Sequence, residues 1–263
     1  LHDALPISVG FGAPNIDLVR SFVSGTVAYW QLEAKDKYAT SRGITRAKIY
    51  GAHFKSSSDD FIVVYKDFAS SVTQDFQEYM HFNRKELTDT TGASAYFSRT
   101  GGDITSKKKT AMVSAKILLP SDTSKISHKL VTSGNANTVN LLESGTTSAE
   151  FLWVLKPSIS LSNSMPPVNT ISEAEWVGAE VLGASPKVAL FARQGRSPSG
   201  LSLSTSHSGA AQYVIGGLPP GRYEITMNGL TVGASPFTIT KSQAAIEFES
   251  GAGALMIRGA GSV

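Results

Sequence analysis

The stretch "SSSDDFIVVYKDFASS", residues 56–71, sets a continuous apolar run between two clusters of serine and aspartate. Every position from Phe61 to Tyr65 is apolar or aromatic, so both faces of a strand formed here would avoid water. Such a strand is typical of the centre of a sheet that is covered on both sides. We therefore predict a doubly buried strand whose role is packing.

Similar short runs, rich in β-branched and aromatic residues and bounded by polar turn residues, recur along the chain. They cover residues 47–54, 76–84, 112–119, 150–155, 188–193, 211–215, 223–227, 236–239, 245–248 and 255–258. The pattern of "SEAEWVGAEVLG", residues 172–183, is equally compatible with a helix and with a strand. The pattern predicts an all-β fold, with a large antiparallel β-sandwich followed by a smaller C-terminal β-sandwich.

A change in composition divides the chain. The stretch "KPSISLSNSMPPVNT", residues 156–170, is rich in Ser, Pro and Asn and interrupts the strand pattern. A boundary here predicts an N-terminal β-sandwich over residues 8–160 and a smaller C-terminal β domain over residues 161–263, both of ordinary domain size. Residues 1–7, "LHDALPI", resemble a translated sequencing adapter, and we expect them to be a non-native leader.

Composition argues against several function classes. With 41% hydrophobic and 17% charged residues, the 263-residue chain is expected to be globular. Its net charge is only +3, and no basic stripe is interleaved with aromatic residues, so nucleic acid is not an expected partner. No run approaches the roughly 18 apolar residues of a membrane span, so no membrane is expected either. The absence of cysteine excludes disulfides and thiolate metal sites.

The predicted strand "FQEYMHFNR", residues 76–84, alternates between two kinds of face. One face holds Phe76, Glu78, Met80, Phe82 and Arg84, and the other holds Gln77, Tyr79, His81 and Asn83. The second face is polar but includes an aromatic ring and an imidazole, which could bind sugar or line an inter-domain cleft. An ordinary solvated sheet face is the competing interpretation.

Three residues from neighbouring predicted strands could form a metal site. His53, Asp67 and His81 offer two nitrogen ligands and one oxygen ligand, a set that would suit zinc with an open position. No short-spaced ligand pair supports the site, so we expect no cofactor, with a structural zinc as the weaker alternative. His128 and His207 lie in polar turns and are expected at the surface.

The chain has three tryptophans, and each could stack on a sugar ring. Trp153, in "FLWVL", shares a face with Phe151 and Leu155 and is predicted to be a core residue. Trp30, in "AYWQLE", is the better candidate for an exposed side chain.

Several phrases follow one another between roughly residues 24 and 230. They are "GTVAYWQLEAKDKYATSRGITRAKIYGAHFKSSSDDFIVVYKDF", "EYMHF", "AKILLP", "AEFLWVLKPS", "KVALFARQGRS" and "YVIGGLPPGRYEITMNG". Their order resembles the C-terminal β-region of heparinase II/III-like polysaccharide lyases. The resemblance implies cleavage of uronic-acid polysaccharides by β-elimination. A base removes the proton α to the uronate carboxyl group, the carboxylate is neutralised, and an acid assists the leaving oxygen.

In this family a helical toroid precedes the β-region and carries most of the catalytic residues. The resemblance therefore implies that this chain is a fragment, inactive alone, whose partners are an acidic polysaccharide and the toroid domain. It also implies a bacterial enzyme that is periplasmic or secreted. The alternative is a non-catalytic carbohydrate-binding or structural β-sandwich module of a surface protein.

The resemblance also nominates site residues. Family β-domains can add a histidine to the cleft, and His81 is the candidate catalytic residue here. The candidate substrate-binding residues are Tyr79, Gln77, Asn83 and Trp30. The family can hold a structural zinc through an aspartate at the end of the "vvvyD" strand. Lys66 occupies that position in this chain, and Asp67 follows one residue later on the opposite face, which weakens the zinc site.

Overall fold

Three β-sheets dominate the computed structural model, which describes residues 17–35, 43–56, 59–84, 96–108, 111–131, 136–159, 164–193, 201–240 and 243–261. Within these ranges the helical elements amount to single turns, such as the 3₁₀ turn Thr123–Lys125, so the all-β prediction is confirmed. The described part of the chain contains no helix of the length and apolarity needed to cross a membrane.

Sheet A is formed by the N-terminal part of the chain. Its strands are β1 (Asp17–Val23), β2 (Val27–Glu33), β3 (Ile44–Phe54), β4 (Phe61–Arg84), β5 (Tyr96–Thr100), β6 (Asp103–Lys108), β7 (Ala111–Leu119), β8 (Ile126–Val131) and β9 (Ala136–Ser158). The order across the sheet is β1-β2-β3-β4-β9-β7-β6-β5, and β8 pairs with β9 beside this path. All of these pairs are antiparallel.

Sheets B and C are formed by the C-terminal part. Sheet B contains β10 (Val168–Ser172), β11 (Trp176–Val181), β12 (Lys187–Ala192), β14 (Ala211–Gly216) and β18 (Ala245–Ser250). Sheet C contains β13 (Leu201–Ser204), β15 (Gly221–Met227), β16 (Leu230–Thr231), β17 (Phe237–Ile239) and β19 (Ala254–Gly259). The pair β12–β14 is parallel, whereas the other pairs of sheets B and C are antiparallel.

Sheet B lies between the other two sheets and is buried on both faces. Every residue of β11, β12 and β14 is buried. One face joins sheet C in a core that includes Trp176, Leu190 and Ile257. The other face packs on sheet A in a core that includes Val63 and Phe191. The segment "SEAEWVGAEVLG" therefore forms a strand, because its apolar residues serve two cores rather than one helical face.

The predicted doubly buried strand is confirmed at the start of β4. All residues from Phe61 to Phe68 are buried. Val63 and Tyr65 point into the core shared with sheet B, whereas Ile62 and Val64 point into a third core on the opposite side of sheet A. This third core is built from residues of sheet A and the adjoining Ala34, so the sheet must curl over one of its own faces.

A sharp bend within β4 produces this curl. In a straight strand, the separation of 12 positions between Lys66 and Glu78 would place their backbones about 40 Å apart. Instead, Lys66 Nζ lies 2.6 Å from Glu78 Oε1, and both side chains are almost fully buried. The rings of Phe68 and Phe76 also meet across the bend, with centroids 6.1 Å apart. Register shifts against β9 between Ala69 and Phe76 mark the place where the strand turns.

The sequence prediction placed two strands here, over residues 61–65 and 76–84, and this is corrected by the single strand β4. The intervening Ser, Thr and Asp residues predict a break between the strands. They lie instead at irregularities that bend the strand while its pairing with β9 continues on both sides. The two predicted strands are thus two arms of one element, and their apolar faces close on each other.

The position of His207 differs from the surface placement predicted. His207 is only 5% exposed, and its Nε2 lies 2.7 Å from the hydroxyl of the buried Tyr213. Its backbone N–H donates to Glu180, which also accepts hydrogen bonds from Asn169 and Ser206. Burial opposes ionisation of Glu180, but these hydrogen bonds prevail and lower its pKa. His128 is exposed, as predicted.

The division into domains at residues 160 and 161 stays a prediction. Sheet A ends at Ser158 and sheet B begins at Val168, so sheet membership changes in the Ser/Pro-rich segment. The two parts nevertheless share one core, to which β4 and β12 both contribute. The proposed leader, residues 1–7, lies outside the described residues.

Candidate functional site

The second arm of β4 forms a three-stranded unit with the first part of β9 and with β8. Phe76, Glu78 and Met80 are buried on its inner face, whereas Gln77 and Tyr79 are exposed on the other. The alternation predicted from the sequence is therefore present. We call this second side, formed by Gln77, Tyr79, His81, Ser127, Lys129, Asn140 and the buried Thr138, the outer face.

Strand register arranges the outer face in two rows that cross all three strands. His81 of β4 is opposite Thr138 of β9, which is opposite Lys129 of β8. In the next row, Tyr79, Asn140 and Ser127 are opposite one another. Residues directly opposite on antiparallel strands project from the same side of the sheet. Residues from three chain segments therefore share one surface.

His81 is held in place by its neighbour in the row. Its Nδ1 lies 2.9 Å from the hydroxyl oxygen of Thr138, which is itself 6% exposed. A threonine hydroxyl can donate or accept, so it fits either neutral tautomer of the imidazole. Among the described residues no group bonds to Nε2, so the second ring nitrogen can donate a proton or accept one.

Tyr79 is the most exposed aromatic group of the outer face. It is 40% exposed, and its hydroxyl donates to Oε1 of Gln77. Both residues thus lie where the sequence placed them, with a ring that could stack on a sugar. Asn83 belongs to the same strand, but its side chain lies outside the described ones. Their part in binding substrate stays a prediction.

Trp30 lies apart from the outer face. Its indole covers Gly51 on the adjacent strand β3 so closely that a Cβ at that glycine would fall 2.0 Å from the ring. The side chain is partly buried and packs on the third core. It is more exposed than Trp153 and Trp176, which are both buried in the cores. Sugar binding by Trp30 stays a prediction.

The possible zinc ligands do not converge. His53 faces Asp60, with Nε2 and Oδ2 3.3 Å apart, and Asp67 pairs with Arg46 at 2.6 Å. His81 is on the distal arm of β4 and contacts Thr138. The described ranges contain no group of three or more His, Cys, Asp or Glu side chains that could hold a metal. His53, Asp67 and His81 therefore do not fit a zinc site. The prediction that the protein has no cofactor stays untested.

A second polar region is a cleft of about 440 Å³ between sheets A and B. Its floor contains Asp67 and Glu150, which are directly opposite on β4 and β9. Two like charges in this position repel. Each has its own partner, because Arg46 pairs with Asp67 and Arg193 lies 3.1 Å from Glu150. The buried Tyr65 hydroxyl also donates to Glu150, over 2.5 Å.

The charges of this cleft compensate one another. Its lining holds three cationic side chains, Arg46, Lys125 and Arg193, and four carboxylates, Asp67, Asp122, Glu143 and Glu150. It therefore offers no surplus of positive charge to an acidic polymer. Burial and the nearby carboxylates Asp67 and Glu150 raise the pKa of Tyr65, so its phenol is kept neutral. The cleft functions as a polar junction between the sheets.

The sequence interpretation missed Thr138, Asn140 and Lys129. The segments that carry them, "ISHKLV" and "ANTVNLLE", are rich in Ser, Asn, Thr and Lys, and neither is among the predicted strands. Alternation was present in β9, where Val139 and Leu141 are buried and apolar while Thr138 and Asn140 are polar. This alternation, with a period of two residues, was the signal in the sequence that could have identified the strand.

No protein-family model matches this sequence, and no curated protein matches it. Among solved structures, the chain is similar to one described as the crystal structure of heparinase III, with 13% sequence identity and a TM-score of 0.45. The alignment covers 71% of this chain and 29% of that protein, so the chain spans less than a third of its length.

Proposed function

We propose that this chain is the β-sandwich part of a bacterial polysaccharide lyase that cleaves uronic-acid polysaccharides by β-elimination. The proposal is supported by the ordered phrases of the sequence and by the arrangement of the phrase that carries His81. In that phrase, "EYMHF", both Tyr79 and His81 lie on the outer face. A helical toroid elsewhere in the complete protein would supply most of the catalytic residues.

The observation that carries the proposal is the setting of His81. Thr138 fixes one ring nitrogen at 2.9 Å, and the other is left for a ligand on an exposed surface next to a tyrosine ring. A histidine so placed can donate a hydrogen bond to the uronate carboxylate or carry a proton near neutral pH. Tyr79 would bind the sugar ring or donate its hydroxyl.

A non-catalytic carbohydrate-binding or structural module is the alternative function. The polar, exposed outer face would also serve a module that only binds sugar. The two functions differ in the role of His81, since a binding module needs contacts but no proton transfer. Turnover therefore separates them where binding alone does not.

The test is a His81→Ala variant of the complete protein. We expect turnover on a uronic-acid polysaccharide to fall at least about tenfold, equivalent to roughly 1.4 kcal/mol of barrier, with an unchanged melting temperature. His128→Ala is the matched control, because His128 is an exposed histidine of β8 in the same three-stranded unit and contacts Asn137 rather than the outer face. Equal turnover of wild type and His81→Ala would contradict the assignment.

A further inference from the structure

We propose that the outer face binds the acidic polysaccharide across its strands, with Lys129 pairing with a uronate carboxylate at the opposite end of the row from His81. This inference rests on the proposed function and names a substrate-binding residue for it. It follows from the strand register, which places His81, Thr138 and Lys129 in one row.

Lys129 forms no ion pair with an acidic side chain of the described residues. Four others form ion pairs: Lys66 with Glu78, Lys116 with Asp103, Lys125 with Glu143 and Lys156 with Asp59. Lys129 is exposed on the outer face. Its ammonium group is thus available for an anion from solution.

The two rows contain no carboxylate. Their six residues are His81, Thr138, Lys129, Tyr79, Asn140 and Ser127. Lys129 is the permanent positive charge among them, and His81 adds a second when protonated. An acidic polymer therefore meets an attractive field here, unlike in the cleft between sheets A and B, where carboxylates outnumber cations.

The spacing of the row suits a polymer rather than a single small anion. Neighbouring strands lie about 4.8 Å apart, so the backbones at His81 and Lys129 are separated by about 10 Å. A sugar chain laid across the strands would place one unit at His81 and another at Lys129. In the adjacent row, between Tyr79 and Ser127, Asn140 has a buried side-chain oxygen, Oδ1, that lacks a hydrogen-bond partner among the described residues.

The experiment measures binding of this chain to oligogalacturonate, a uronate oligomer without sulfate, by calorimetry at low ionic strength. We expect Lys129→Ala to weaken binding at least fivefold and to reduce its dependence on salt, because one exposed charge pair is lost. Lys129→Arg should retain most of the affinity. Lys35→Ala is the control, since Lys35 is exposed but lies outside the outer face.

Two outcomes would overturn the inference: equal affinity of wild type and Lys129→Ala, or the same loss in Lys35→Ala. Failure of wild type to bind the oligomer would overturn it as well. The proposed function is tested separately by the elimination activity of the complete protein. If the complete protein is an active lyase whose activity and affinity do not depend on Lys129, the proposed function stands. Only the binding surface proposed on the outer face is then refuted.

Discussion

Val63→Asp is expected to unfold the chain. Val63 is fully buried in the core between sheets A and B, on the strand that also contacts the third core. An unpaired carboxylate there costs several kcal/mol, against a total stability of roughly 5–15 kcal/mol for a domain. Loss of the cooperative thermal transition, followed by circular dichroism, is the expected result.

The matched control for this variant is Val72→Asp. Val72 belongs to the same strand but is 48% exposed, at the irregular part of β4. A charge at this position remains solvated, so the free energy of unfolding should change by no more than about 0.5 kcal/mol. If Val63→Asp melts like wild type, the doubly buried position of this strand is wrong.

Lys66→Met is expected to lower the free energy of unfolding by about 3–5 kcal/mol, because it leaves Glu78 buried without its counter-charge. Burial already raises the pKa of Glu78, and Lys66 opposes that rise. A carboxyl group with a raised folded-state pKa favours folding below its unfolded pKa, and this contribution is lost as pH rises through the folded value. The loss in Lys66→Met should therefore be smaller in acid than at neutral pH.

A double variant separates the ion pair from the packing around it. Lys66→Met with Glu78→Leu removes both charges and keeps apolar volume, which should restore stability to wild-type level or above it. Lys116→Met is the control, since its pair with Asp103 is exposed and should contribute at most about 1 kcal/mol. Chemical denaturation gives the free energy of unfolding of the wild type, Lys66→Met, the double variant and Lys116→Met. A Lys66→Met variant as stable as wild type would show that the pair does not hold the bend.

The faces of individual strands could be predicted from the sequence. The apolar run at Phe61 to Tyr65 and the alternation from Phe76 to Met80 are local patterns, and both correspond to the burial observed. Local patterns suffice to predict these faces because successive side chains of a strand point to opposite sides of the sheet. For the same reason the burial of Trp153 followed from its neighbours.

The bend in β4 could not be predicted in this way. It depends on contacts across the bend, such as Lys66 with Glu78, and on a register shift against β9. Neither leaves a periodic signal, and a lysine and a glutamate 12 residues apart on a strand predict no contact. The same polar residues that suggested a turn instead mark the irregular pairing.

The candidate site was predictable on one strand only. The sequence placed His81 and Tyr79 on a shared polar face, because both are on β4. Thr138 and Lys129 join them through the register of three strands, which the sequence of one strand does not contain. The burial of His207 is not predicted for a related reason, since His207 follows β13 in a loop and its hydrogen-bond partner Tyr213 is on β14.

The most direct test of the central claim is the product formed when the complete protein acts on a uronic-acid polysaccharide. We expect unsaturated uronate to accumulate at new chain ends, detected by its ultraviolet absorbance, because β-elimination leaves a double bond next to the carboxylate. A neutral glucan should give no such product. New chain ends that lack the double bond, or no cleavage by the folded protein of any uronic-acid polymer tested, would contradict the account.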